Sequence, residues 1–172
     1  QLLRSGRPVL HLVRRINQYF PNTCKFSMTI RIRPAQDSDF QWLLELHHTV
    51  YRDLITQEFG YWDSDEELGL FKNAWESKQI EILLQHDKPV GMFIVVAHAD
   101  HFWLDEIQID PRYQNQGIGT EVIGRLIARA RTCLLPLRLR VLRVNQGAYR
   151  LYQRLGFLRI GGVKHHHVME IR

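Results

Sequence analysis

Three apolar-rich segments, at 79–85, 90–98 and 101–109, follow one another with only short polar turns between them. The first turn is His86-Asp87-Lys88-Pro89 and the second is Ala99-Asp100. Connections that short join antiparallel neighbours, because a parallel return needs a crossover of a dozen or more residues. The chain is therefore committed to an antiparallel meander in its middle, closed by Asp110-Pro111.

The flanks supply helices and further strands. Residues 29–33 alternate apolar and polar and stop at Pro34, as a short strand does. Asp37 or Ser38 can cap a helix whose apolar face holds Phe40, Leu43, Leu44, Val50, Tyr51 and Leu54. Gly60 and Tyr61-Trp62-Asp63 break it, and Ser64-Asp65-Glu66-Glu67 reads as a capping box, with serine at the cap, opening a second helix with Leu68, Phe71 and Trp75 inward. After the meander, Ile118, Val122, Ile123, Leu126, Ile127 and Ala130 form one helical stripe, with Glu121, Arg125 and Arg129 opposite. A strand at 137–143 and a short helix at 147–155, stopped by Gly156, come next. Segments 157–160 and 165–171 make a closing hairpin that turns at Gly161-Gly162. The order β-α-α-β-β-β-α-β-α-β-β gives a mixed α/β sheet in a single domain at 28–172.

Of 172 residues, 45% are apolar and 24% charged, the balance of a globular chain with enough length for a core. The net charge of +5 is carried by residues 1–27, where Arg4, Arg7, Arg14, Arg15 and Lys25 stand without an acid, and the remainder is formally neutral. A cationic nucleic-acid surface on the domain is thus not expected, nor is a membrane partner, since no apolar run is long enough to span a bilayer. Segment 1–27 has three readings: upstream or added sequence, an appendage helix with Val9, Leu10, Val13, Ile16 and Phe20 on one face, or a transit-like stretch. Two cysteines, Cys24 and Cys133, fit inert thiols in a reducing cytosol better than a disulfide framework, so a cytoplasmic location is expected.

The chemistry concentrates in the stretch from Leu104 to Thr120. A strand feeds a loop with Gly117 and Gly119, and the loop opens directly into the amphipathic helix. Unpaired N–H groups and the dipole at a helix start attract phosphate, and glycine lets backbone approach the anion. Thr120-Glu121 after the second glycine excludes a P-loop, and the position behind an antiparallel meander excludes a dinucleotide fingerprint.

The segment Gln114-Asn115-Gln116-Gly117-Ile118-Gly119 resembles the pyrophosphate motif Gln/Arg-x-x-Gly-x-Gly/Ala of the GNAT superfamily of N-acetyltransferases. Downstream, the block from Asn145 through Ala148, Leu151, Tyr152, Gly156 and Phe157 resembles that family's Asn-x-x-Ala-x-x-Leu-Tyr-x-x-x-Gly-Phe signature. The opening Ile32-Arg33-Pro34-Ala35 also looks like the start of many such domains.

The resemblance implies a GNAT-type fold in which the strand at 101–109 and the strand at 137–143 splay apart to receive acetyl-CoA. Backbone of Ile107, Gln108 and Ile109 would pair with the pantetheine arm. Amides of Gln114, Asn115, Gln116, Gly117, Ile118, Gly119 and Thr120 would hold the pyrophosphate. Asn145 would hydrogen-bond the donor; a helix cap is the other role open to it. Tyr152 matches the family's general acid, which protonates the departing thiolate; the alternative is a tyrosine packed beside Leu151 and Leu155. Glu106 is the candidate general base, against a solvated strand glutamate. Asp105 is expected on the opposite strand face.

The implied function is transfer of acetyl from acetyl-CoA to a primary amine, of a small molecule or a protein, directly in a ternary complex. The alternative is a non-catalytic acyl-CoA-binding module of the same fold. Acceptor contacts are expected from the first two helices, with Tyr51, Tyr61 and Trp62 as candidates and Arg52, Glu58 and Asp63 nearby. No metal site is expected: in His165-His166-His167 strand alternation lets only His165 and His167 converge, and His47 and His48 lack an i+4 partner. A homodimer is compatible with the resemblance.

Overall fold

The computed structural model describes residues 30–172, so readings that fall on 1–29, including the appendage-helix face, Cys24 and Thr29 of the first strand, lie outside the described residues. The element order is β1 (Ile30–Pro34), α1 (Phe40–Phe59), α2 (Ser64–Glu76), β2 (Ile80–Gln85), β3 (Lys88–Ala97), β4 (Phe102–Ile109), α3 (Ile118–Thr132), β5 (Leu137–Leu142), α4 (Gln146–Arg154), β6 (Leu158–Val163) and β7 (His166–Ile171). The strands form one seven-stranded sheet in the order β1-β2-β3-β4-β5-β7-β6. The expected meander is β2-β3-β4, and β4 with β5 is the parallel pair in an otherwise antiparallel sheet.

Strand alternation divides the core between two faces. Ile80, Ile82 and Leu84 of β2 and Met92 and Ile94 of β3 pack with Leu43, Leu46 and Phe71 from α1 and α2. Leu83, Val90 and Phe93 point the other way, onto the Val122, Ile123 and Leu126 stripe of α3. Each such side chain removed from water contributes roughly 1.5–3 kcal/mol. Arg125 and Arg129, expected opposite the stripe, instead lie against the sheet. Arg125 Nη1 donates to the Ile30 carbonyl at 2.8 Å, and the Arg129 guanidinium sits 5.2 Å from the Phe102 ring centroid. Their long stems let them reach back from the helix flank.

Three local readings are corrected. The first helix is preceded by a 3-10 turn at Asp37–Asp39, and Asp39, not Asp37 or Ser38, organises the junction. Its carboxylate accepts from both terminal nitrogens of Arg33 at 2.6 and 2.8 Å and from the Gln36 N–H at 2.8 Å. The cap of α2 is Asp63 rather than Ser64: Asp63 Oδ1 accepts from the N–H groups of Asp65 and Glu66 at 2.9 and 3.1 Å. A carboxylate one residue earlier takes the orphan donors at the positive helix end, while the Ser64 hydroxyl receives Trp62 Nε1 at 3.0 Å. The closing hairpin turns at Lys164-His165, not at Gly161-Gly162. Both glycines lie inside β6 next to a register shift, and a Cβ on Gly162 would meet the His166 carbonyl at 2.9 Å. Glycine serves there for close backbone approach.

Candidate active site

The site begins with a bulge. Leu104 pairs with Val95 and Glu106 with Ile94, so Asp105 is an extra residue in β4. A bulge bends its strand and increases the local twist. Pairing with β5 then covers only Phe102↔Leu137, Trp103↔Arg138 and Leu104↔Leu139, although β4 continues to Ile109 and β5 to Leu142. Beyond Leu139 the two strands are parted. The bulge also resets the alternation: Leu104 packs in the α3-side core, whereas Glu106 and Gln108 reach side chains of α1. A cavity of about 450 Å³ occupies this region, bordered by β4, β5 and the two N-terminal helices.

Glu106 and Tyr152 border this cavity together. The Tyr51 hydroxyl of α1 donates to Glu106 Oε1 at 2.6 Å. Burial pushes the Glu106 carboxyl up to about 7, against the Tyr51 bond, which pulls it down. Glu106 therefore changes charge near neutrality. Tyr152, on α4, is 6% exposed, with its ring 5.7 Å from that of Phe157. Burial first, and the Glu106 charge second, push its phenol upward, so it stays protonated. Asp105, expected on the opposite face, borders the same cavity because the bulge breaks the alternation; its Oδ1 is 3.8 Å from Arg140 Nη2 on β5.

Behind Glu106 lies a buried polar chain that patterning did not reveal. His47 Nε2 and Glu67 Oε2 are 3.0 Å apart, and Gln108 Nε2 lies 3.1 Å from His47 Nδ1. A glutamine amide nitrogen only donates, so His47 Nδ1 accepts, and the ring proton sits on Nε2 facing Glu67. Burial lowers the His47 pKa, with Glu67 opposing. The neutral ring thus links α1, α2 and β4. Gln108 is 1% exposed and its Oε1 has no hydrogen-bond partner.

At the C-terminal end of β4 the loop takes an unusual path. Asp110 caps a 3-10 turn, Asn115 has φ 60° and Gly117 has φ 84°. Residues 114–117 are exposed, and a Cβ on Gly117 would meet nothing within 4 Å. The first hydrogen bond of α3 runs from the Glu121 N–H to the Gly117 carbonyl at 2.9 Å, leaving the Ile118–Thr120 amides without intrahelical acceptors. Such a helix mouth suits a diphosphate. Gly119 plays a different part. Its Cβ would press on Leu151 at 3.3 Å and Ile109 at 3.4 Å, so glycine lets α3 settle against α4 and β4. The open loop and the gap between β4 and β5 fit a long phosphorylated thioester.

The remaining anticipated residues divide. Gln114 Nε2 donates to the Ile109 carbonyl at 2.9 Å and Gln116 Nε2 to the Arg112 carbonyl at 3.0 Å, so these side chains shape the loop. Gln108 turns its side chain towards α1, leaving its backbone on β4. Asn145 Oδ1 caps α4 through the Ala148 N–H at 3.1 Å, and the residue also borders the cavity. Tyr51 and Tyr61 border the cavity; Trp62 instead packs against His48, ring centroids 5.5 Å apart, with Arg52 over its face. The three histidines disperse: His165 meets Glu58 at 2.8 Å, His166 borders the cavity and His167 packs on Tyr149 at 5.0 Å. His165 lies in the hairpin turn, so strand alternation does not govern it. Among the described residues no helix is long and apolar enough to cross a membrane.

The acetyltransferase (GNAT) family model matches residues 48–157, and the chain belongs to that family. Acyl-CoA-dependent acetyl transfer is thus its class of activity. Solved structures share the fold. The PaiA N-acetyltransferase from Thermoplasma acidophilum in complex with coenzyme A is 17% identical, with 84% of this chain and 99% of that one covered and a TM-score of 0.68. An acetyltransferase from Thermus thermophilus is 19% identical, with 83% and 96% covered and a TM-score of 0.66. The ribosomal-protein-S18-alanine N-acetyltransferase from Escherichia coli is 21% identical, with 83% and 92% covered and a TM-score of 0.58. Among curated proteins none matches this sequence.

Proposed function

We propose that this chain moves an acetyl group from acetyl-CoA to a primary amine by direct transfer in a ternary complex. The observation that carries the reading is the parting of β4 from β5 after Leu104 and Leu139, with Glu106 and Tyr152 bordering the same cavity. The pantetheine arm adds to the unpaired backbone of β4 past the bulge, and the Gly117 loop receives the diphosphate.

An ammonium acceptor gives one proton to Glu106, whose elevated pKa matches a base working near neutral pH. The freed lone pair attacks the thioester carbonyl; the C–N bond forms as the C–S bond breaks. Tyr152 supplies the proton that the sulfur takes up and recovers one from the nitrogen, so the products are the N-acetyl amine, free CoA thiol and the proton left on Glu106. Holding donor and acceptor in one groove accounts for much of the rate, with positioning able to contribute roughly 7–11 kcal/mol.

The test is initial-rate kinetics, read as free thiol, with both substrates varied. Intersecting double-reciprocal lines are expected, whereas parallel lines would point to an acetyl-enzyme and overturn direct transfer. Binding of acetyl-CoA with no amine acetylated would leave a donor-binding module.

A further inference from the structure

The cavity has a marked charge imbalance. Asp63, Glu66, Glu67, Asp105 and Glu106 all border it, while Arg140 is the one arginine or lysine among its described lining residues. Arg140 already lies 3.8 Å from Asp105. The two lining imidazoles do not redress the balance, because burial lowers the pKa of both His47 and His166.

The rim is apolar. Phe59, Tyr61 and Leu70 border the cavity and are 41%, 57% and 55% exposed. They come from the end of α1, the following loop and α2, and Ile55 and Phe71 continue the apolar wall inward. Exposed large apolar groups gathered at a cavity mouth mark a binding surface for an apolar body.

We propose that the acceptor is a primary amine carried on an apolar body and lacking a carboxylate beside the nitrogen, held by Glu106 at its head and by Phe59, Tyr61 and Leu70 along its length. This rests on the acetyltransferase reading and adds the chemistry of the acceptor. A free α-amino acid is disfavoured, since its carboxylate would enter a space lined by five others and a single arginine, Arg140, that already faces Asp105. The two sources of this chemistry are a free alkyl or arylalkyl amine and the apolar N-terminal residue of a peptide.

Three matched acceptors test this with the full chain: 2-phenylethylamine, phenylalaninamide and phenylalanine, each at saturating acetyl-CoA. The expected result is a kcat/KM for 2-phenylethylamine at least about tenfold above that for phenylalanine. Phenylalaninamide above 2-phenylethylamine would assign the site to a peptide end, and the reverse to a free amine. Phenylalanine within about threefold of its decarboxylated partner would overturn the proposal while leaving acetyl transfer standing. Leu70→Ser, on the exposed rim, should raise KM for 2-phenylethylamine by a larger factor than that for ethanolamine; equal effects on both would remove the apolar-body half. Should none of the three be turned over, calorimetric titration of each into the CoA-bound protein reads the same preference. Phenylalanine binding as tightly as the others, or none binding at all, sinks the acceptor assignment. Failure of acetyl-CoA itself to bind sinks the acetyltransferase reading instead.

Discussion

The Tyr51 hydroxyl reaches from α1 across to β4 and donates to Glu106 Oε1 at 2.6 Å. That bond stabilises the carboxylate form, in opposition to the burial that disfavours it. A base must be ionised to take a proton, so the acidic limb of kcat/KM should follow Glu106 near pH 7. In Tyr51→Phe the opposing bond is gone and the limb should move to higher pH. Rates at about pH 6.5 should fall, and rates at about pH 9 should approach those of the parent chain. A pH–rate profile superimposable on the parent would show that Tyr51 does not tune this carboxyl.

Glu106 also affects stability. Its folded pKa, about 7, lies above its ordinary 4.5. Between those values the unfolded chain ionises it while the folded chain keeps it neutral. Stability is therefore lost as pH rises through that window. Glu106→Gln should be more stable than the parent at about pH 8, by about 3 kcal/mol, and unfold at a higher temperature, with the difference shrinking towards zero at about pH 4.5. The same variant should lose most of its turnover. Thermal melts at the two pH values decide it.

Tyr152→Phe removes a hydroxyl and keeps the ring against Phe157. Turnover should drop by about 10² or more while the acetyl-CoA dissociation constant changes little. Turnover at the parent's level would return Tyr152 to the role of a packed helix residue.

Two glycines should respond oppositely. Gly117→Val places a side chain in open space at φ 84°, so the fold should survive, at a cost of about 1–2 kcal/mol, and acetyl-CoA affinity should fall. Gly91→Ala drives a Cβ to 2.4 Å from the Gln108 carbonyl oxygen and must push β3 from β4. It should destabilise by about 3 kcal/mol or more. Urea titration paired with calorimetric acetyl-CoA binding separates the two effects; an unchanged affinity for Gly117→Val would count against the diphosphate assignment.

Removing the His47 ring leaves Glu67 and Gln108 facing an uncompensated hole. His47→Leu should cost about 2–3 kcal/mol, and His47→Leu with Glu67→Leu should cost less than the two single changes added together. Additive costs in a double-mutant cycle would mean the chain His47–Glu67 is not coupled.

Much of this molecule is legible in its sequence, because patterning and motif chemistry are local. The eleven elements in order follow from alternation, helical stripes and turn residues, and the two Gly- and Asn-led signatures mark the loop before α3 and the start of α4. What was misread also has local causes. Asp63 displaced Ser64 as a cap because both residues can accept from the first turn. The glycines of β6 looked like a turn because Gly-Gly also suits a close strand approach. The His47–Glu67–Gln108 chain left no trace, since its members lie 20 and 61 residues apart and no local pattern links them.

The family, the sheet's strands and helices and the glycine at the mouth of α3 were settled by the amino-acid order alone, since each depends on neighbours within a turn or a strand. Tertiary structure decided which carboxylates share the cavity and what protonation Glu106 takes. An extra residue at Asp105 turns β4 over, and the burial that raises the Glu106 pKa, opposed by Tyr51 and Arg140, exists only when distant segments pack around it.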